Sequence, residues 1–280
     1  MFPLKIFIFL LSAISTLIFS SNSKAIEPYE NINKRIISLN SLSADIVSKL
    51  DNNSLIAIPG SSLLKKDNRF DNKLIISEGR MPPSVEKIIK LKPSLVIGSS
   101  GFHDKILNKL NDLNIKTLKT NTNSITQLEK LIKDLANYLD KDPSKLNKDL
   151  YDCYKNTSKK RGSAVVLAST KPLLSPNSNS WAGKLLERFN FDNISKDLES
   201  KTEFKGYVNL SPEIILKSNP SKIILITFPG MSQNNLESDQ FFNKLISSKK
   251  NKVITFNYYG LINPGSINTI NNACKKLSSI

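Results

Sequence analysis

One histidine and two cysteines are the only imidazole and thiol groups in this 280-residue chain. There is no CxxC and no His/Cys cluster, which excludes the usual structural zinc site. The sole histidine, His103, has no Cys, Ser or carboxylate motif around it and reads as a loop residue. GxSxG, P-loop and HExxH patterns are missing, as is a GxGxxG after a strand, so no familiar catalytic signature is present. Cys153 and Cys274 could pair in an exported chain, yet two free, partly buried thiols are the simpler expectation. Acidic residues are few, Asp+Glu 24 against Lys+Arg 40, a formal charge of +16. The lysines are scattered over polar helix faces without interleaved aromatics, which argues against a nucleic-acid surface. Beyond residue 25 no apolar run is long enough to span a bilayer.

What is present begins with a leader. Met1 to Ser20 carries Lys5 as its one charge, followed by the apolar run IFIFLLSAISTLIF. Ser23-Lys24-Ala25 then places small residues at the −3 and −1 positions of a cut after Ala25. Residues 1–25 therefore read as a secretory signal peptide, with a retained membrane anchor as the alternative.

The strongest pattern is a repeat. Residues 84–97 read SVEKIIKLKPSLVI and residues 211–224 read SPEIILKSNPSKII, 127 positions apart. Ser84/Ser211, Glu86/Glu213, Ile88/Ile215, Lys90/Lys217, Pro93/Pro220 and Ser94/Ser221 are identical. Each copy reads as a capped helix, a proline break and an apolar strand, so the chain should fold as two similar lobes around a cleft.

Strands and helices alternate on both sides of this frame. RIISLN at 35–40, residues 55–58, 74–76, 95–98 and 116–118 read as strands. Helices are expected at 41–50, with Ser43 as N-cap, at 84–91 and 105–113, and at 124–139 behind a Ser124/Gln127 capping box. Asp142-Pro143 opens a polar helix to about Lys160, read as the connector between lobes. The second half restarts with a strand at 164–168, in register with the first because Ser38 and Val165 are also 127 apart. A loop at 170–179, a helix at 181–189, the second repeat unit, a short helix at 241–247, a strand at 253–256 and a closing helix at 266–277 complete it. This pattern predicts an α/β protein of two Rossmann-like lobes with mainly parallel sheets. The expected boundaries are 26–141 for the first lobe, 142–160 for the connector and 161–280 for the second lobe.

At the two repeat units the sequence resembles the periplasmic substrate-binding proteins of ABC importers for metal chelates, relatives of the vitamin B12-binding and iron-siderophore-binding proteins. The resemblance runs from RIISLNSLSADIVSKL at 35–50 through SVEKIIKLKPSLVIGSSG at 84–101 to GYVNLSPEIILKSNPSKIILIT at 206–227. It implies two lobes joined by one long helix, a periplasmic location, and a monomer that docks on a permease dimer with ATPase subunits. It also implies docking roles for Glu86 and Glu213, which would pair with permease arginines. At the same positions a carboxylate favours a helix N-terminus, and the two roles are compatible. The implied ligand cleft is built from loops at the strand ends. Its candidates are Arg80, Ser99, Ser100, Phe102 and His103 in the first lobe, and Trp181, Tyr207, Phe228, Tyr258 and Tyr259 in the second. Arg80 stands where siderophore binders place an arginine facing an anionic chelate. With Ser99, it also replaces aromatics that flank the corrin in the B12-binding protein.

The expected function is capture and delivery of an iron chelate, siderophore or haem, without catalysis and without a resident cofactor or metal. A cobalamin or other corrinoid binder is the alternative within the class. An exported two-lobed enzyme is the alternative outside it, and a scaffold protein whose cleft has lost its ligand is a third.

Overall fold

The computed structural model describes residues 34–78, 81–154, 160–170, 172–199, 205–229 and 252–280. The expected leader at 1–25, Arg80 and the helix at 241–247 lie outside the described residues. Residues 34–280 form one compact unit.

Two parallel sheets organise this unit. The first contains β1 (Ile36–Ser38), β2 (Leu55–Gly60), β3 (Leu74–Glu78), β4 (Leu95–Ser99) and β5 (Thr117–Thr120), in the order β3-β2-β1-β4-β5. The second contains β6 (Ser163–Leu167), β9 (Asp192–Asn193), β11 (Lys222–Thr227) and β12 (Lys252–Asn257), in the order β12-β11-β6-β9. A small antiparallel sheet, β7 (Ser169–Thr170), β8 (Leu173–Pro176) and β10 (Tyr207–Asn209), lies beside the second. The Ser, Pro and Asn content of 170–179 predicts only a loop. That stretch instead forms a hairpin whose second strand, β8, is the middle of the small sheet; Pro176 ends that strand opposite Tyr207, where a missing N–H is tolerated.

The repeat is built the same way twice. Ser84 caps α2 (Val85–Lys90) by accepting from Lys87 N, and Ser211 caps α8 (Pro212–Ser218) by accepting from Ile214 N. Ile88 and Ile215 are each fully buried beneath their helix. Lys92 and Asn219 both turn the chain through the left-handed region, with φ of 45° and 44°. Ser94 then donates to Arg35 O and Ser221 donates to Ser163 O, each tying its unit to the lobe's opening strand. The opening strands correct the expected register. Ile36 pairs with Leu95 while Ala164 pairs with Lys222, so this strand repeats at 128 and not at 127. Arg35 and Ser163, the two serine acceptors, show the same extra residue.

Strand alternation sorts the core into three layers. Ile37 and Val96 face an outer cluster with Ile88, Leu107 and Leu110. Val165, Ile223 and Leu225 face a second outer cluster with Ile215 and Val208. Ile36 and Ile97 from the first sheet, and Val166, Ile224 and Phe256 from the second, enter one common core. The common core is filled by α1 (Ser41–Asp51), α4 (Ile125–Leu139), α7 (Trp181–Arg188) and the closing helix Ile267–Ser279. Each fully buried aliphatic side chain there contributes about 1.5–3 kcal/mol by leaving water. The lobes are thus fused along a hydrophobic seam.

Polar groups close the same seam. Asn40, one turn ahead of Ser43, is the N-cap of α1: its side chain accepts from Ser43 N at 2.8 Å. Asp45, fully buried, accepts from Arg69 Nη2 at 2.6 Å and from the backbone N–H of Ile267 at 2.8 Å. One carboxylate of the first lobe therefore satisfies the first turn of the closing helix. Burial would lower the Arg69 pKa, but its bonds to Asp67 and Asp45 outweigh that and raise it.

The expected connector over 142–160 is described as far as Tyr154. It runs as two short pieces, α5 (Ser144–Asp149) and α6 (Tyr151–Tyr154), with Leu150 between them. Pro143, not Asp142, occupies its N-cap, and Asp142 accepts from Ser144 N just outside. Cys153 and Cys274 form a disulfide, which corrects the expectation of free thiols. The fold brings their Cα atoms to 5.0 Å by laying α6 against the closing helix, and both side chains are fully buried. Sequence separation concealed this proximity.

Candidate functional site

Ligands of open α/β sheets bind beyond the carboxyl ends of the strands. In the first lobe that edge is the turn after β4. His103 closes it: its Nδ1 accepts from Ser99 N at 2.9 Å, and its backbone N–H donates to Ser99 O at 2.9 Å. The ring lies so close to the strand that a Cβ on Gly98 would come within 2.9 Å of the His103 Cβ. Burial pushes the His103 pKa down, against the raising charge of Asp104. His103 is therefore a neutral clasp inside the turn. Held this way, Phe102 is 84% exposed, its ring edge-on to His103 at 4.8 Å. Ser99 is half-buried and Ser100 exposed at the same tip.

In the second lobe the edge is aromatic. Phe228 follows β11, Tyr258 and Tyr259 follow β12, and Phe228 stacks on Tyr258 at 5.0 Å. Tyr259 meets Tyr258 edge-on at 5.3 Å, and its hydroxyl lies 3.5 Å from Ser62 Oγ in the loop after β2. The tyrosine pair thus spans from one lobe to the other. Tyr207, on β10, is half-buried; burial first, and Tyr258 second, push its hydroxyl far above the usual phenol range. It stays a neutral phenol at any physiological pH.

The turn carrying the tyrosines depends on Gly260. Its φ is +99°, and a Cβ there would strike the Thr269 carbonyl at 2.2 Å. The Gly260 carbonyl accepts the indole N–H of Trp181 at 2.8 Å. Trp181 is only 4% exposed. It supports the turn from behind and presents no open face to a ligand, unlike the role the sequence suggests.

Glu86 and Glu213 are both exposed, in the first turns of α2 and α8. Each helix feeds a parallel strand and runs back along it, so both carboxylates sit at the strand-tip edge of their lobe. The Ser211 hydroxyl holds the Glu213 carboxyl below the usual range.

A model of the family described as "periplasmic binding protein" matches residues 36–257. The chain belongs to the periplasmic binding protein family. No curated protein matches it by sequence. An ABC transporter substrate-binding protein from Listeria monocytogenes is similar in structure, at TM-score 0.69 and 21% identity over 88% of this chain and 97% of that one. The periplasmic vitamin B12-binding protein of Vibrio cholerae gives 0.64 and 17% over 88% and 95%. A periplasmic haem-binding protein from Roseiflexus sp. RS-1 gives 0.61 and 16% over 88% and 99%.

This periplasmic binding protein has two surface depressions beside α1 and the closing helix, the second reaching Leu63 and Thr269 next to the tyrosine turn. They measure about 520 and 510 Å³ and share Asp67, Arg69 and Asn268. Their charges largely pair internally, as Arg69 with Asp45 and Asp67. Ser62 was missed by motif reading. The signal that could have found it is its place just after Pro59-Gly60, at a strand's carboxyl end.

Proposed function

We propose that this periplasmic binding protein captures an iron chelate, a siderophore or haem, and delivers it to an ABC permease dimer with its ATPase subunits. The observation that carries this reading is the aromatic surface at the strand tips: Phe102 on one lobe, the Phe228–Tyr258–Tyr259 group on the other. Such faces suit a ligand with broad apolar surfaces, while Ser99 and Arg80 would meet its polar and anionic groups. A metal that arrives already chelated needs no protein ligand set; among the described residues no group of three or more His, Cys, Asp or Glu stands together. The protein acts by binding and release, as a monomer, and performs no turnover. Residues 26–141 and 161–280 are its lobes and 142–160 its connector. Residues 1–25 direct export and are cut after Ala25, and a buried disulfide suits an oxidising extracytoplasmic compartment. Glu86 and Glu213 register the protein on permease arginines. Likeness to the V. cholerae protein favours cobalamin as the second reading.

Trp181 is the sole tryptophan and backs the tyrosine turn, so its fluorescence reports on the edge. Quenching by ferric siderophores or haem, with little from cobalamin, is the expected result. The reverse order selects the corrinoid reading. Silence towards all three, with turnover of some small substrate, overturns both. Glu86→Lys with Glu213→Lys should abolish permease-stimulated transport and leave ligand affinity intact; lost affinity would place the pair in the cleft or the core.

A further inference from the structure

The repeat exposes more than two carboxylates. Ile89 is 42% exposed and Leu216 is 43% exposed, and the two are equivalent positions 127 apart. Each follows its glutamate by three residues, Glu86 to Ile89 and Glu213 to Leu216, so each shares a helix face with it. The fold does not require an aliphatic side chain there. The neighbouring residues, Ile88 and Ile215, are the ones that plug the two outer cores, at 0% exposure. Single exposed aliphatics are ordinary on protein surfaces. The same one twice, one turn from the same exposed carboxylate, on equivalent helices at the same edge of two lobes, is a repeated patch.

We propose that Ile89 and Leu216 are apolar contact points of the permease-docking surface, one per lobe, each seated beside its glutamate. The inference rests on the transport reading above and deepens it. The occupant is the permease dimer, because two copies of one patch fit a partner that offers the matching surface twice. Its chemistry at each point is a guanidinium for the carboxylate and an aliphatic or aromatic side chain for Ile89 or Leu216. Carboxylates then steer the encounter, and the aliphatic groups, desolvated on contact, slow departure.

The test uses the full mature protein, without ligand, and its cognate permease–ATPase complex in nanodiscs, with docking read by interferometry. Ile89→Ser with Leu216→Ser should weaken docking about tenfold, mainly through faster dissociation. Thermal midpoint and chelate affinity should stay unchanged. Leu113→Ser is the control, since Leu113 is 49% exposed at the opposite edge, just past the end of α3 (Asp104–Asp112). Unaltered docking of the double variant, with docking of the Glu86→Lys/Glu213→Lys protein lost, overturns the apolar contact and leaves the transport reading standing. No docking by the unmodified protein overturns both. A dimer of the protein in light scattering that the double variant loses overturns the proposal in favour of self-association.

Discussion

His103 illustrates how one residue changes meaning when its surroundings are known. Alone in the sequence it is a loop histidine; in the fold it is a buried acceptor that shapes the tip bearing Phe102. Its depressed pKa has a definite sign for stability. Above the unfolded value of about 6.5, both folded and unfolded chains hold it neutral and it adds no pH dependence. As pH falls through that value the unfolded chain takes up the proton first, and stability declines until the folded pKa is passed. Protonation also removes the acceptor for Ser99 N–H. Urea midpoints should fall between pH 7.5 and 5.5 in the native protein and stay flatter in His103→Asn; equal slopes would reject the assignment. It is the only histidine, so no other imidazole contributes. Asp45 makes the second residue-scale prediction. Asp45→Asn keeps the shape but removes the buried partner of Arg69 and weakens the acceptor for Ile267 N–H. The expected cost is about 2–3 kcal/mol in urea unfolding, tempered because Asp67 still holds Arg69.

At the scale of elements the closing helix carries the consequences. The disulfide fixes it to α6, and Arg161 donates to its Ser278 and Ile280 carbonyls. Cys153→Ala with Cys274→Ala should cost about 2–5 kcal/mol, since the cross-link closes a separation of 121 residues. Gly260→Ala should lower the thermal midpoint and shift Trp181 emission, because the added Cβ would lie 2.2 Å from the Thr269 carbonyl oxygen, which cannot give way without moving the helix. The repeat, its caps and the strand–helix alternation were legible because local hydrogen bonds and periodicity decide them. Trp181 burial, the disulfide and the 128-residue register were not, because each is settled by residues more than fifty positions away. The hairpin of β7 and β8 was hidden for a different reason: its Ser, Pro and Asn residues prefer turns, and pairing with β10 overrides that preference. Among the candidates, Tyr207 and the glutamates are placed by the repeat, and Tyr258 and Tyr259 by the strand end they follow. Neither signal places the support beneath them.

For the molecule as a whole, the common core restrains hinge motion. Ile36 and Ile97 of one sheet and Ile224 and Phe256 of the other pack into one continuous cluster, so separating the lobes would expose apolar surface. Small-angle scattering should therefore return the same radius of gyration for the empty protein and for the protein loaded with ferric siderophore or haem. A compaction of several ångströms would show that the seam opens. Any adjustment then falls to side chains at the strand tips, where Phe102 is 84% exposed.

The first lobe's Asp45 waits for the N–H of Ile267, and the inner face of its sheet is sealed by Ile270, Cys274 and Leu277. Asp45 and Ile267 stand 222 positions apart in the sequence. Without the closing helix neither lobe has its full set of partners, so the two should complete their folds together. One helix thus makes a single cooperative unit of two lobes, so urea unfolding should show the same midpoint by Trp181 emission and by far-ultraviolet dichroism; two separated midpoints would show that the lobes melt apart.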